Sequence, residues 1–122
     1  MSVPKIHEGE YRFCLIMWEH QPIKAVELAK LCQDKLDWKR TTTYTIIKRL
    51  GDRGVLKLEN GIVAALISQE EAEAAEIDTF VASKFGGSLP AFVAAFTKRK
   101  DVTEKDLDEM QRMIDRIRRG GE

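Results

Sequence analysis

The chain has 122 residues, 20 Lys+Arg against 20 Asp+Glu, and is 43% apolar and 33% charged. That length allows one small domain or two sub-domains sharing a core, and the composition excludes a disordered chain. No apolar run approaches the ~18–20 residues that span a bilayer, and the opening MSVPKIHEGEYRF lacks the apolar stretch and cleavage site of a signal peptide, so the expectation is a cytoplasmic protein without membrane insertion.

A first helix is predicted from about Glu8 to Glu19. Tyr11, Cys14, Leu15 and Trp18 recur at the i, i+3, i+4, i+7 spacing of one buried stripe. Glu10 can return to the backbone at the helix start, where His7 holds the cap position. Gln21-Pro22 stops the helix. A second helix is expected from about Lys24 to Asp34, with Ala25, Leu28, Ala29, Leu31 and Cys32 on its buried side. Cys14 and Cys32 stand alone in these apolar patterns, with no C-x-x-C and no histidine cluster. They read as small core residues, the sharper alternatives being a metal site or a redox switch.

After a Lys-Leu-Asp-Trp connector comes the most informative helix, from about Arg40 to Arg53. Lys39, Arg40, Lys48, Arg49 and Arg53 crowd beside Thr41, Thr42, Thr43, Thr45 and Tyr44, and only Asp52 offsets these cations. Ile46, Ile47 and Leu50 must face the core, with Thr43 a candidate to join them. The other face then carries hydroxyls and basic tips: cations suited to phosphates, hydroxyls and methyls suited to base edges. A merely solvated basic helix is the bland alternative. Charge asymmetry favours the first: residues 1–67 hold 11 Lys+Arg against 8 Asp+Glu, whereas residues 68–122 hold 9 against 12. A polyanionic partner therefore belongs with the first half. Trp38 either leans on a sugar–phosphate strand or packs the connector onto the first helix.

Gly54 ends this helix as a residue that accepts the left-handed conformation. The period then shortens to 2. Val55, Leu56 and Leu58 lead into Glu59-Asn60-Gly61, and Ile62 to Ile67 lead away, which is a strong hairpin signal. Three helices and a hairpin make a winged helix-turn-helix, with the threonine-rich helix as groove reader and the hairpin as wing. Beyond Ser68 the chain is helical again. Ser68 and Glu71 form a capping box opening a helix to about Phe85, Ser88 caps a short helix, and Thr103 caps a last one. Phe80, Phe85, Leu89, Phe92, Val93 and Phe96 lie on the first two, and Leu107, Met110, Ile114 and Ile117 form a 3–4 seam on the third. So small a helical region is marginal alone, and a second copy related by two-fold symmetry is its simplest partner. The fold class is thus mainly α: a winged helix-turn-helix domain at 1–67 and a three-helix dimerisation region at 68–122.

Three segments in this order resemble one known family. Glu10–Trp18, read EYRFCLIMW, is similar to its first helix. Asp37, Trp38, Thr42, Thr45, Ile47, Arg49, Leu50, Arg53 and Gly54 fit its recognition-helix signature, and FGGSLPAFVAAF at Phe85–Phe96 resembles its Phe-Gly-Ser-Leu segment. The chain is identified on these motifs as resembling the penicillinase (β-lactamase) repressors, which include the methicillin-resistance regulators. The resemblance covers Ile6 to Ile117.

That resemblance implies a homodimeric repressor on an inverted-repeat operator in double-stranded DNA, governing an antibiotic-resistance or signal-protease operon. On the helix itself, Thr41, Thr42, Tyr44 and Thr45 are the candidates for base contact and Lys39, Lys48, Arg49 and Arg53 those for phosphate, with Arg40 also at the DNA. The resemblance also implies relief through a membrane sensor–protease system, with cleavage at Ala95–Phe96. Characterised relatives carry Asn at the position of Ala95, and commonly Ser and Pro at those of Lys39 and Arg40. No nucleophile–base pair, metal-ligand spacing or phosphate loop is visible, which points to no enzyme, cofactor or metal. The rival class is a winged-helix module that binds protein and makes no salt-dependent contact with DNA.

Overall fold

The computed structural model describes residues 3–99 and 101–120; Gly120 apart, the GGE end of the sequence lies outside them. Chain order is α1 (Glu8–His20), β1 (Ile23–Lys24), α2 (Ala25–Leu36), α3 (Arg40–Arg53), β2 (Leu56–Glu59), β3 (Ile62–Ala65), α4 (Gln69–Phe85), α5 (Leu89–Thr97) and α6 (Glu104–Arg118). This is the mainly α, winged helix-turn-helix arrangement followed by three helices. One compact unit runs to Ile77 and a second starts at Asp78, so α4 contributes to both.

The first unit is built on α1, α2 and α3. Its core joins Phe13, Met17, Leu28, Cys32, Ile46, Ile47, Leu50, Val55, Leu56 and Val63, and Ala72 on α4 belongs to it. The stripe expected on α1 is rotated: Leu15 is 41% exposed, while Phe13, Ile16 and Met17 are buried and Tyr11 and Trp18 half-buried. Seven of the eight residues Tyr11–Trp18 are apolar or aromatic. Periodicity alone cannot choose a face on such a helix.

The hairpin forms as its sequence demands. Asn60 and Gly61 both take positive φ, 53° and 76°, which matches a two-residue turn to the strand twist. β2 pairs antiparallel with β3, Leu58 opposite Val63. A third strand, β1, pairs with the other edge of β3. Two residues are too few to show alternation, so the sequence carried no signal for it. The Ala25 N–H donates to the Gly61 carbonyl at 2.8 Å, tying the start of α2 to the wing turn. The Trp18 indole N–H donates to Ile67 at 3.0 Å and anchors the chain as it leaves the wing.

Cys14 and Cys32 are free and buried. Burial pushes the Cys14 thiol up to about 12 and raises that of Cys32. Both are therefore protonated packing groups at neutral pH.

In the second unit, Ser88 caps α5 by accepting from the Ala91 N–H at 3.1 Å. Thr103 and Asp106 close a reciprocal capping box on α6. Ser68 and Glu71 do the same for α4 at 2.9 and 3.0 Å. Phe92 meets Phe80, Phe85 and Phe96 at ring-centroid distances of 6.0, 5.7 and 6.2 Å. This cluster half-buries Phe85 and Phe92 and leaves Phe80 and Phe96 each 46% exposed. No single helix among the described residues is long and apolar enough to cross a membrane.

Candidate nucleic-acid interface

Helix α3 starts under unfavourable local terms. Lys39 is an extended cap with no side-chain bond to offer, and the threonine run has low helix propensity. The Lys39 carbonyl accepts from the Thr42 and Thr43 N–H groups at 3.0 and 3.2 Å. What holds the helix is tertiary burial of Thr43, Ile46, Ile47 and Leu50. Gly54, at φ 88°, terminates it, and the Val55 N–H closes back on Leu50 at 2.9 Å.

Those four buried residues define one side and leave the other to solvent. Lys39, Arg40, Thr41, Thr42, Tyr44, Thr45, Lys48 and Arg49 are all exposed. At ~100° per residue, Thr41, Thr45, Lys48 and Asp52 fall along the middle of the outward face, with Tyr44 and Arg49 beside them. Thr45 Oγ1 donates to the Thr41 carbonyl at 2.8 Å, which fixes its hydroxyl and leaves its lone pairs outward. Lys48 Nζ lies 3.6 Å from Asp52 Oδ2, with both side chains well exposed. Such a pair is worth little and opens readily to another anion.

Arg53 departs from the other eight. Its Nη1 donates to Glu10 Oε1 at 2.7 Å and to the Lys5 carbonyl at 3.0 Å, while Nη2 donates to Glu10 Oε2. Glu10 is 6% exposed. The guanidinium thus forms a fork to a buried carboxylate, while its side chain stays 29% exposed. Glu10 does return to the backbone as expected, accepting from the His7 N–H at 2.9 Å. Its partner 43 residues away had no signal in the sequence.

Trp38 stacks on Phe13 with centroids 6.3 Å apart and planes 3° from parallel. Of its two readings, the connector anchor is the one present. The wing adds an exposed Lys57, 3.9 Å from Glu59.

Three helices, a wing and a basic, hydroxyl-rich third helix define a winged helix-turn-helix DNA-binding regulator. The chain belongs to the penicillinase repressor family, whose family model matches residues 6–116, nearly the whole chain. A comparison with curated proteins found no match. The family is one of regulators rather than enzymes, and DNA-binding transcriptional repression is the activity that membership supports.

Proposed function

We propose that the protein is a homodimeric repressor that lays one α3 per subunit in the major groove of each half of an inverted-repeat operator. The observation that carries this reading is the outward face of α3 and its cap Lys39, where eight exposed hydroxyl-bearing or cationic side chains stand opposite a buried stripe. Thr41, Thr42, Tyr44 and Thr45, on the first half of the helix, read base edges. Lys39, Arg40, Lys48 and Arg49 hold phosphates on either side. Repression is steric, by occupying a promoter of a resistance or signal-protease operon.

The second unit supplies the dimer. Leu89, Val93, Phe96, Leu107, Ile114 and Ile117 are exposed in the single chain, Ile117 by 71%. Joining two half-site readers raises avidity by ~10²–10⁴ without new base contacts. Release follows a sensor–protease signal, with scission at Ala95–Phe96. That bond lies in α5, a nine-residue helix with no buried residue, so the opening that a protease needs is inexpensive there.

Selection of random duplex DNA on the purified full chain tests the reading. A palindromic consensus is expected, with half-sites one or two turns apart at ~34 Å per turn. Recovery of unenriched DNA, with no steep fall of affinity in salt, overturns it.

A further inference from the structure

We infer that Glu10 and Arg53 are positioning residues that set the angle of α3 at the DNA, a role that rests on the groove-reading function proposed above. The candidate base contacts occupy the first half of α3, and Arg53 is its last residue. A helix of 14 residues is ~21 Å long. A tilt of ~10° about the Arg53 end displaces the Thr41 end by ~3–4 Å, far beyond the few tenths of an ångström that a hydrogen bond to a base tolerates.

Apolar packing along Ile46, Ile47 and Leu50 holds the helix against the core without fixing direction as a fork does. A bidentate guanidinium–carboxylate pair fixes both distance and plane. Its carboxylate is itself held, because Glu10 Oε1 also accepts from the His7 N–H. Its guanidinium is held a third time by the Lys5 carbonyl, and the Pro4 ring lies close against Gly54. Three parts of the chain, residues 4–7, the start of α1 and the end of α3, therefore meet at one point. The other ion pair on α3, Lys48–Asp52, is internal to the helix and exposed, so it cannot set the helix angle.

Glu10→Gln is the decisive variant, because a residue 6% exposed reaches no DNA and can change binding only through α3. The full chain is titrated with a duplex bearing the selected half-sites and with random duplex of equal length, over ~50–200 mM salt. Glu10→Gln and Arg53→Gln are each expected to lower the selected-to-random affinity ratio by roughly tenfold, about the discrimination of one base contact. The slope of log affinity against log salt stays at the wild-type value.

If Arg53 held a phosphate instead, Arg53→Gln would flatten that slope by about one unit per subunit and Glu10→Gln would leave the ratio intact; this result overturns the proposal. So does an unchanged ratio in both variants. Arg53→Lys keeps the charge without the fork and decides the matter if Arg53→Gln unfolds: a lowered ratio supports positioning, an unchanged one refutes it. Wild-type protein that shows no preference for any duplex overturns the groove-reading function and the positioning role together, whereas selective wild-type binding with indifferent variants overturns only the latter.

Discussion

Glu10 accepts the backbone at the start of α1 and the Arg53 fork from the end of α3. The Arg53 hydrogen bonds hold its carboxyl below the ordinary value of 4.5, against the opposing effect of burial. A depressed pKa in the folded state means that the ionised pair stabilises the fold fully above about 4.5 and loses this as pH falls through the lower folded value. Glu10→Gln is expected to cost ~2–3 kcal/mol at neutral pH, somewhat less than a fully buried pair because Arg53 keeps some access to water. Urea unfolding should show the gap between wild type and Glu10→Gln closing as the pH drops below 4.5. A gap independent of pH would assign the loss to packing. The capping role of Glu10 was legible from its place three residues after His7. Its tertiary role was not, since long-range ion pairs leave no local pattern.

Helix α3 was the most legible element. A stripe at helical spacing separated Thr43, Ile46, Ile47 and Leu50 from the exposed residues, and the structure keeps that division from Arg40 to Arg49. At Arg53 the side chain is half-buried and turns to the buried Glu10. Helix α1 carries a weaker signal, because it is apolar nearly all round. Strand β1 has no local signal in the sequence, because pairing with β3 rather than its own two residues makes it a strand. The division on α3 carries a prediction about the two kinds of contact. Thr42→Ala with Thr45→Ala should lower the preference for operator over random DNA with the salt slope kept. Lys48→Ala or Arg49→Ala should instead weaken both duplexes alike and flatten the slope by about one unit per phosphate lost. Competition binding at several salt concentrations separates the two, and equal behaviour of both sets would remove the assignment of threonines to bases.

The chain has two compact units, one ending at Ile77 and one starting at Asp78. The first has a core of its own. The second exposes Phe80, Leu89, Val93, Phe96, Leu107, Ile114 and Ile117, together with Met113, which the 3–4 seam did not single out. Met110, on that seam, is half-buried within the chain. Ile114→Glu puts a charge on this surface without touching the winged helix. Sedimentation should show monomers, and operator affinity should fall by ~10²–10³ while affinity per half-site is retained. An unaltered mass would place the subunit contact elsewhere. The expectation of a partner has a plain physical ground in the sequence: its apolar seams exceed what so small a region can bury by itself. Which copy or surface covers them is a property of two chains, and no single chain encodes it locally.

The indole bond from Trp18 to Ile67 and the stacking of Trp38 on Phe13 have an optical consequence. Trp18 and Trp38 are the only tryptophans in the sequence, and both sit in the unit that ends at Ile77. Intrinsic emission is therefore a private signal of the winged helix, whereas far-ultraviolet ellipticity sums α1 to α6. In Ile114→Glu the emission curve should melt where the wild type does while the ellipticity curve moves to lower temperature. One sample then yields a melting record for the winged helix apart from that of the whole chain.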